Sequence, residues 1–272
     1  MKKILAIFSA AIAALAISSS AIAAKVSADA PVMSRIVKSG QLVVGTSGGQ
    51  PPMTMQDKDG KLAGFDVDLA DLMAQGLGVK LVTRQMPFNE LLDALEAGKV
   101  DVVISNMTIN PSRNMRVAFA GPYMTSGKCL ITKEENLAKA DDAEELNIEN
   151  MSLAALKGST SEDIIATLMP KAKLTSVGSI EEGVKLVAAD KVGAMMADYP
   201  VCLHSVSANK DKGFISVFSL LTYEPIGIAL PASDPLLLNW TENFLERLDK
   251  TETLEVLATK WLGKLIKEAE GM

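Results

Sequence analysis

Apolar positions along this chain switch between a helical and a strand period in regular alternation. From Phe65, the residues Val67, Leu69, Ala70, Leu72, Met73 and Leu77 recur at helical spacing, and Gly76 and Gly78 end the run. Residues 79–82 read as a strand. A second helix starts near Asn89, buries Leu91, Leu92 and Leu95, and stops at Gly98. Val102, Val103 and Ile104 then form the short continuous apolar run of a parallel strand covered on both faces. Polar residues cluster just past it: Ser105, Asn106, Thr108 and Arg113. In open α/β sheets, ligands bind outside the carboxyl ends of the strands, so this cluster marks an expected site.

The same alternation extends both ways. Upstream, Met33, Ile36 and Val37 make an amphipathic turn ended by Gly40, residues 42–44 a first strand, and residues 57–60 the turn of a hairpin. The glycine-rich stretch 45–52 lacks G-x-G-x-x-G and a Walker lysine, so it reads as a loop at the rim of a cleft rather than a dinucleotide or phosphate cradle. Downstream, Gly121-Pro122-Tyr123 breaks the chain before the apolar run 129–132, and the charged segment 133–150 precedes a strand at 153–156. Ser159 with Glu162, and Ser179 with Glu182, have capping-box spacing ahead of two helices. Residues 192–196 form a strand ending at Asp198-Tyr199-Pro200, and residues 214–218 another. Tyr223-Glu224-Pro225 punctuates before residues 226–229, and two helices, 235–248 and 253–268, close the chain. The fold class predicted is α/β in two lobes, each a mostly parallel sheet flanked by helices. Residues 31–125 with 226–272 make one lobe and 126–225 the other, joined by crossings near 121–128 and 221–226. A crevice between two lobes on a double hinge is the natural place for a ligand.

Composition narrows the setting. Lys2 and Lys3, an uncharged apolar run from Ile4 to Ile17 and the exit Ala21-Ile22-Ala23 read as a secretory signal peptide, 1–23, cut before Ala24. Without its two lysines the chain has 25 basic against 33 acidic residues, which argues against nucleic acid or an anionic membrane as partner. Cys129 and Cys202 are the only cysteines, in a compartment that permits disulfides; a bridge and two buried thiols are both open. No zinc motif, nucleophile elbow or Cys/His pair is visible, and His204 is the single histidine. No cofactor or metal is expected.

Six motifs then occur in a recognisable order: residues 64–70 (GFDVDLA), 97–101 (AGKVD), Asn106-Met107-Thr108 with Arg113, Gly158-Ser159-Thr160, Ala197-Asp198-Tyr199-Pro200, and 224–229 (EPIGIA). Together, across residues 34 to 265, they resemble the periplasmic solute-binding proteins for polar amino acids, the extracellular receptors of ABC importers. The resemblance implies the two-lobe periplasmic-binding-protein fold, closing on an amino acid and handing it, as a monomer, to a membrane permease. By position, Arg113 would clamp the ligand carboxylate and Asp198 take its ammonium. Asn106 and Thr108 would supply backbone and hydroxyl hydrogen bonds, Thr160 would meet the carboxylate at the helix start that Ser159 caps, and Phe88 would pack on the ligand side chain. Physical chemistry favours the same roles, because a dehydrated zwitterion needs both charges matched and arginine's planar fork suits a carboxylate.

The same residues have plainer uses: Arg113 in a surface salt bridge, Asp198 as a helix cap, Thr160 as a capping neighbour, Phe88 as core. The sequence also departs from the family pattern. Gln50 stands where an aromatic commonly stacks on the ligand, Met53 where phenylalanine is usual, Ile226 where tyrosine is. Ser47 stands where some members place an aspartate for a basic side chain, so the expected ligand is a polar or small amino acid, not a basic one. Two alternatives share the scaffold: a dehydratase-like enzyme resembling cyclohexadienyl or arogenate dehydratases, and a sensor that presents its ligand to a membrane receptor.

Overall fold

The computed structural model of the chain describes residues 30–137, 143–217 and 222–270. The leader expected at 1–23 and the strand end expected at Phe218 lie outside them. In chain order the strands are β1 (Gln41–Thr46), the short hairpin β2 (Met55–Gln56) and β3 (Leu62–Ala63), β4 (Lys80–Gln85), β5 (Val102–Thr108) and β6 (Ala118–Ser126). They continue as β7 (Lys128–Thr132), β8 (Ser152–Leu156), β9 (Lys173–Val177), β10 (Ala194–Asp198), β11 (Ile215–Val217) and β12 (Glu224–Leu230).

Two five-stranded sheets result, ordered β4-β1-β5-β12-β6 and β11-β7-β10-β8-β9. Helices flank them, giving the α/β two-lobe architecture. Each sheet is mostly parallel, as expected. Four strands run one way in each (β4, β1, β5, β6 and β9, β8, β10, β11), and a single strand, β12 or β7, runs against them and joins its neighbours by antiparallel ladders. The antiparallel strands flank the crossings. β6 passes to β7 through the single residue Gly127, so the chain leaves the first sheet at its edge and enters the second directly at its antiparallel strand. The chain returns between Val217 and Glu224.

Several elements run further than their apolar patterns. β5 continues through Ser105, Asn106 and Thr108, so these residues belong to the strand rather than lying past it. β6 runs without a break through Gly121-Pro122-Tyr123; it is an edge strand, where a proline costs no ladder donor. Glu224 and Pro225 begin β12 instead of preceding it. Gly76 stays inside the helix Phe65–Leu77, against Trp240, and Gly78 in the left-handed conformation ends it. At the start of that helix, Gly64 has φ 135°, and any Cβ there would lie 2.1 Å from the Met53 carbonyl oxygen. That close approach lets Phe65 and Asp66 donate to the carbonyls of Pro52 and Met53, fixing the loop that carries Gln50.

Each lobe has its own apolar core, and a further cluster is shared. It runs from Phe88, Leu91 and Val103 of the first lobe to Ile131, Ala154 and Leu156 on the second sheet. The C-terminal helix Thr253–Glu270 also touches both lobes. Lys260 and the Trp261 indole donate to Asp68 of the first, while Glu268 accepts from Ser207 and pairs with Lys210 of the second.

Candidate functional site

The carboxyl ends of β5 and β10 face each other across the cleft. Asn106, near the end of β5, has φ 49°, a left-handed conformation that asparagine tolerates. Its backbone N–H donates to Asp66 Oδ2 at 2.6 Å, and Asp66 Oδ1 accepts from the Tyr123 hydroxyl at 2.8 Å. The amide expected to serve a ligand is therefore spent inside the lobe. Burial pushes the Asp66 carboxyl up to about 7, against the two hydrogen bonds that favour its ionised form. The Asn106 side chain reaches outward instead, donating to Asp198 Oδ2 at 2.8 Å and to Gln50 Oε1 at 3.3 Å. Gln50 in turn donates to the Ser105 carbonyl.

Arg113 sits in the four-residue helix Pro111–Asn114, whose cap Asn110 accepts its backbone N–H. The guanidinium is nearly buried, 8 % exposed, and lies 5.6 Å from the centroid of the Phe88 ring. It donates to the Thr108 carbonyl at 2.7 Å and, across the cleft, to the Gly158 carbonyl at 3.0 Å. Among the described residues it makes no ion pair. Burial lowers its pKa, offset in part by the field of Asp163, Asp198 and Glu224. The surface salt bridge open to it in the sequence is absent among those residues.

Asp198 closes β10 and sits at the start of the helix Tyr199–Ala208, yet its side chain caps nothing. Lys128 Nζ donates to its Oδ1 at 2.5 Å, the two residues being direct cross-strand partners. Lys128 lies 3.5 Å from Glu224 Oε2 as well, and is 1 % exposed. Glu224 also collects hydroxyls: Thr108 at 2.9 Å, Thr160 at 3.0 Å and Thr222 at 3.0 Å. Burial alone would raise its pKa; Lys128 and these donors outweigh burial and hold it below the usual carboxylate range. Thr108 and Thr160, expected to serve a ligand directly, thus answer Glu224. Ser159 caps the helix Thr160–Leu168 by accepting from Glu162 N–H, as its spacing predicts.

Behind this wall, Cys129 and Cys202 form a disulfide that ties the residue after Lys128 to the helix following Asp198. A cavity of about 830 Å³ opens between the lobes beside the charged cluster, lined by Gln85, Leu156, Ser179 and His204 among others. It meets the cluster at Gln50 and Phe88, while Arg113, Lys128, Asp198 and Glu224 lie outside its lining.

The structure therefore brings Arg113, Asp198, Asn106, Thr108, Thr160, Phe88 and Gln50 together and leaves Ser159 as a cap beside them. Sequence reasoning missed Lys128, Asp66 and Tyr123, and read Glu224 only as part of a motif. A lysine opening an apolar strand at a crossing was the available signal for the first.

Comparison with known proteins follows the same lines. The family model of the bacterial extracellular solute-binding proteins, family 3, matches residues 42–264. The L-cystine-binding protein TcyJ of Escherichia coli (strain K12) is 25% identical over 236 residues, 87% of this chain and 88% of its own. The solved ancestral amino acid-binding protein AncCDT-1, a precursor of cyclohexadienyl dehydratase, is 36% identical with a TM-score of 0.77, covering 84% of this chain and 98% of its own. A putative ABC-transporter binding component from Wolinella succinogenes DSM 1740, complexed with lysine, is 32% identical with a TM-score of 0.77, over 82% and 95%.

Proposed function

Because the chain belongs to the bacterial extracellular solute-binding proteins, family 3, we propose that it is the receptor of an ABC importer. It takes an amino acid into the inter-lobe cleft and delivers it to a membrane permease. The lobes divide at 31–125 with 226–272 against 126–225, joined at Gly127 and again just ahead of Glu224. The observation that carries this reading is Arg113, a buried cation between the lobes with two carbonyl acceptors and no ion pair among the described residues. A buried cation in that position calls for an anion, and a ligand carboxylate meets the planar fork bidentately. Asp198 and Glu224 face it with acceptor oxygens for an ammonium group. The disulfide between Cys129 and Cys202, with the leader expected at 1–23 from the sequence, supports work outside the cytoplasmic membrane. On this reading the ligand is polar or small, the partners are that ligand and the permease, and the protein acts as a monomer.

A thermal-shift screen of refolded, ligand-stripped protein against the twenty amino acids, prephenate and arogenate tests it, since a ligand that binds only the folded state raises the melting point. One or a few amino acids are expected to shift it. Silence from all twenty, with a shift or turnover on a ring acid, overturns the receptor in favour of a dehydratase.

A further inference from the structure

Lys128 is among the largest fully buried side chains of the molecule, and it is charged. Leu and Met would fill the same volume without the cost of dehydrating an ammonium group. Its surroundings show what it balances. Asp198 accepts from it on one oxygen and from Asn106 on the other, while Glu224 stands 3.5 Å away and accepts three hydroxyls. The two carboxylates come from different strands, β10 and β12, and Lys128 begins β7 beside both. Arg113 supplies the second cation of the site. Asp66 lies behind Asn106 with its oxygens taken by Asn106 N–H and Tyr123, and does not touch Lys128. Asp66 apart, among the side chains nine-tenths or more buried around Asp198, two cations, Arg113 and Lys128, therefore stand against two carboxylates, Asp198 and Glu224. Asp163 acts on Arg113 from further out, and Glu181, Lys185 and Lys212 line the cavity beyond. A zwitterion leaves that balance at zero, whereas a lysine or arginine ligand would add an uncompensated positive charge.

We propose that Lys128 sets the net charge of the ligand: as an internal counter-ion shared by Asp198 and Glu224, it restricts the cleft to amino acids of zero net charge. The inference rests on the receptor reading above and names its substrate class. Without Lys128, the acceptor side becomes a buried anion pair that a cationic ligand end satisfies.

Isothermal titration of wild type, Lys128→Met and Lys128→Arg against the amino acid found in the screen, lysine and arginine tests this. Methionine keeps the length and removes the charge. Its ratio of affinities should move toward the cationic ligands by on the order of tenfold to a hundredfold, while Lys128→Arg keeps the wild-type order. If wild type binds amino acids but Lys128→Met leaves the ratio unchanged, or wild type prefers lysine or arginine, the inference falls and the receptor stands. If wild type binds no amino acid, both fall. Should Lys128→Met not fold, Glu224→Gln, which spares Asp198, carries the test with opposite sign: the ratio should move toward glutamate and aspartate, and an unchanged ratio overturns the proposal.

Discussion

The two ends of the cleft carry opposite charges and treat them in opposite ways. At the Arg113 end, a buried cation rests on two carbonyls and an aromatic face, with no ion pair among the described residues. At the Asp198 end, each carboxylate already has a cation, hydroxyls or an amide on it, and a disulfide braces the wall behind. One end leaves its cation without an ionic partner among the described residues, which on the proposed reading a ligand carboxylate supplies. The other already satisfies its carboxylates within the protein, so that a ligand ammonium would join a set of contacts that the fold itself needs. Removing a residue at the first end should therefore cost binding, and at the second end binding and stability together.

The sharpest break of that comparison is Arg113→Ala. Loss of the carboxylate clamp should weaken amino-acid binding on the order of a thousandfold, while urea unfolding of the ligand-free protein stays within about 1 kcal/mol of wild type. An equal loss of stability would show that Arg113 is structural.

Asp66 supplies the next largest effect, through pH. Its carboxyl titrates near 3.8 when unfolded and about 7 when folded, so the folded state holds the proton across that window. The stability that Asp66 itself contributes should be greatest below about 4, fall as pH rises to 7, and level above it, by up to about 4 kcal/mol. It is read as the difference between wild type and Asp66→Asn, because Glu224 and Glu268 pull the other way in acid. Thermal melts of the two proteins across pH should show that slope in their difference. A difference between wild type and Asp66→Asn that stays constant over the same range removes the buried-acid reading and leaves Asn106 held by geometry alone.

Asp198→Ala should sharpen the contrast with Arg113→Ala. It takes the nearer carboxylate from a buried lysine and should cost about 3 kcal/mol in chemical denaturation of the ligand-free protein, besides abolishing binding. Stability like that of wild type would mean that Glu224 alone suffices for Lys128.

The smallest effect tests the meeting of the two ends. Gly158, whose carbonyl accepts from Arg113, has φ 76°, and a Cβ there would lie 2.7 Å from that of Asn89 on the opposite lobe. Gly158→Ala should hinder closure and weaken binding about tenfold, with roughly 1 kcal/mol of backbone strain. Small-angle scattering with saturating ligand should find a more open envelope than wild type, and an identical one would remove the closure argument.

Much of the fold was legible because its signals are local. Capping serines at 159 and 179, the left-handed glycines after the first two helices of the first lobe, and the apolar run at 102–104 each act through their own neighbours along the chain. Where the pattern stopped short, pairing decided. Ser105, Asn106 and Thr108 look like a loop but are held as strand by β12, a partner more than a hundred residues away. Gly121-Pro122 looks like a break but survives in β6 because that strand lies at the sheet edge.

The candidate site divides in the same way. Arg113, Asp198, Asn106 and the residues around them stand in motifs whose order along the chain already implied a clamp for an amino acid. By itself the sequence determined the alternation of elements and marked Arg113 just past a strand and Asp198 at the end of one, since each depends on residue type and short spacing. Only the tertiary structure decided what those charges touch. Lys128 meets Asp198 through cross-strand register and Glu224 through the return of β12, and Asn106 turns its amide to Asp66 rather than outward. Coulombic and hydrogen-bonding partners are fixed by distance in space, and no periodicity along the chain encodes which distant strand arrives beside a buried charge.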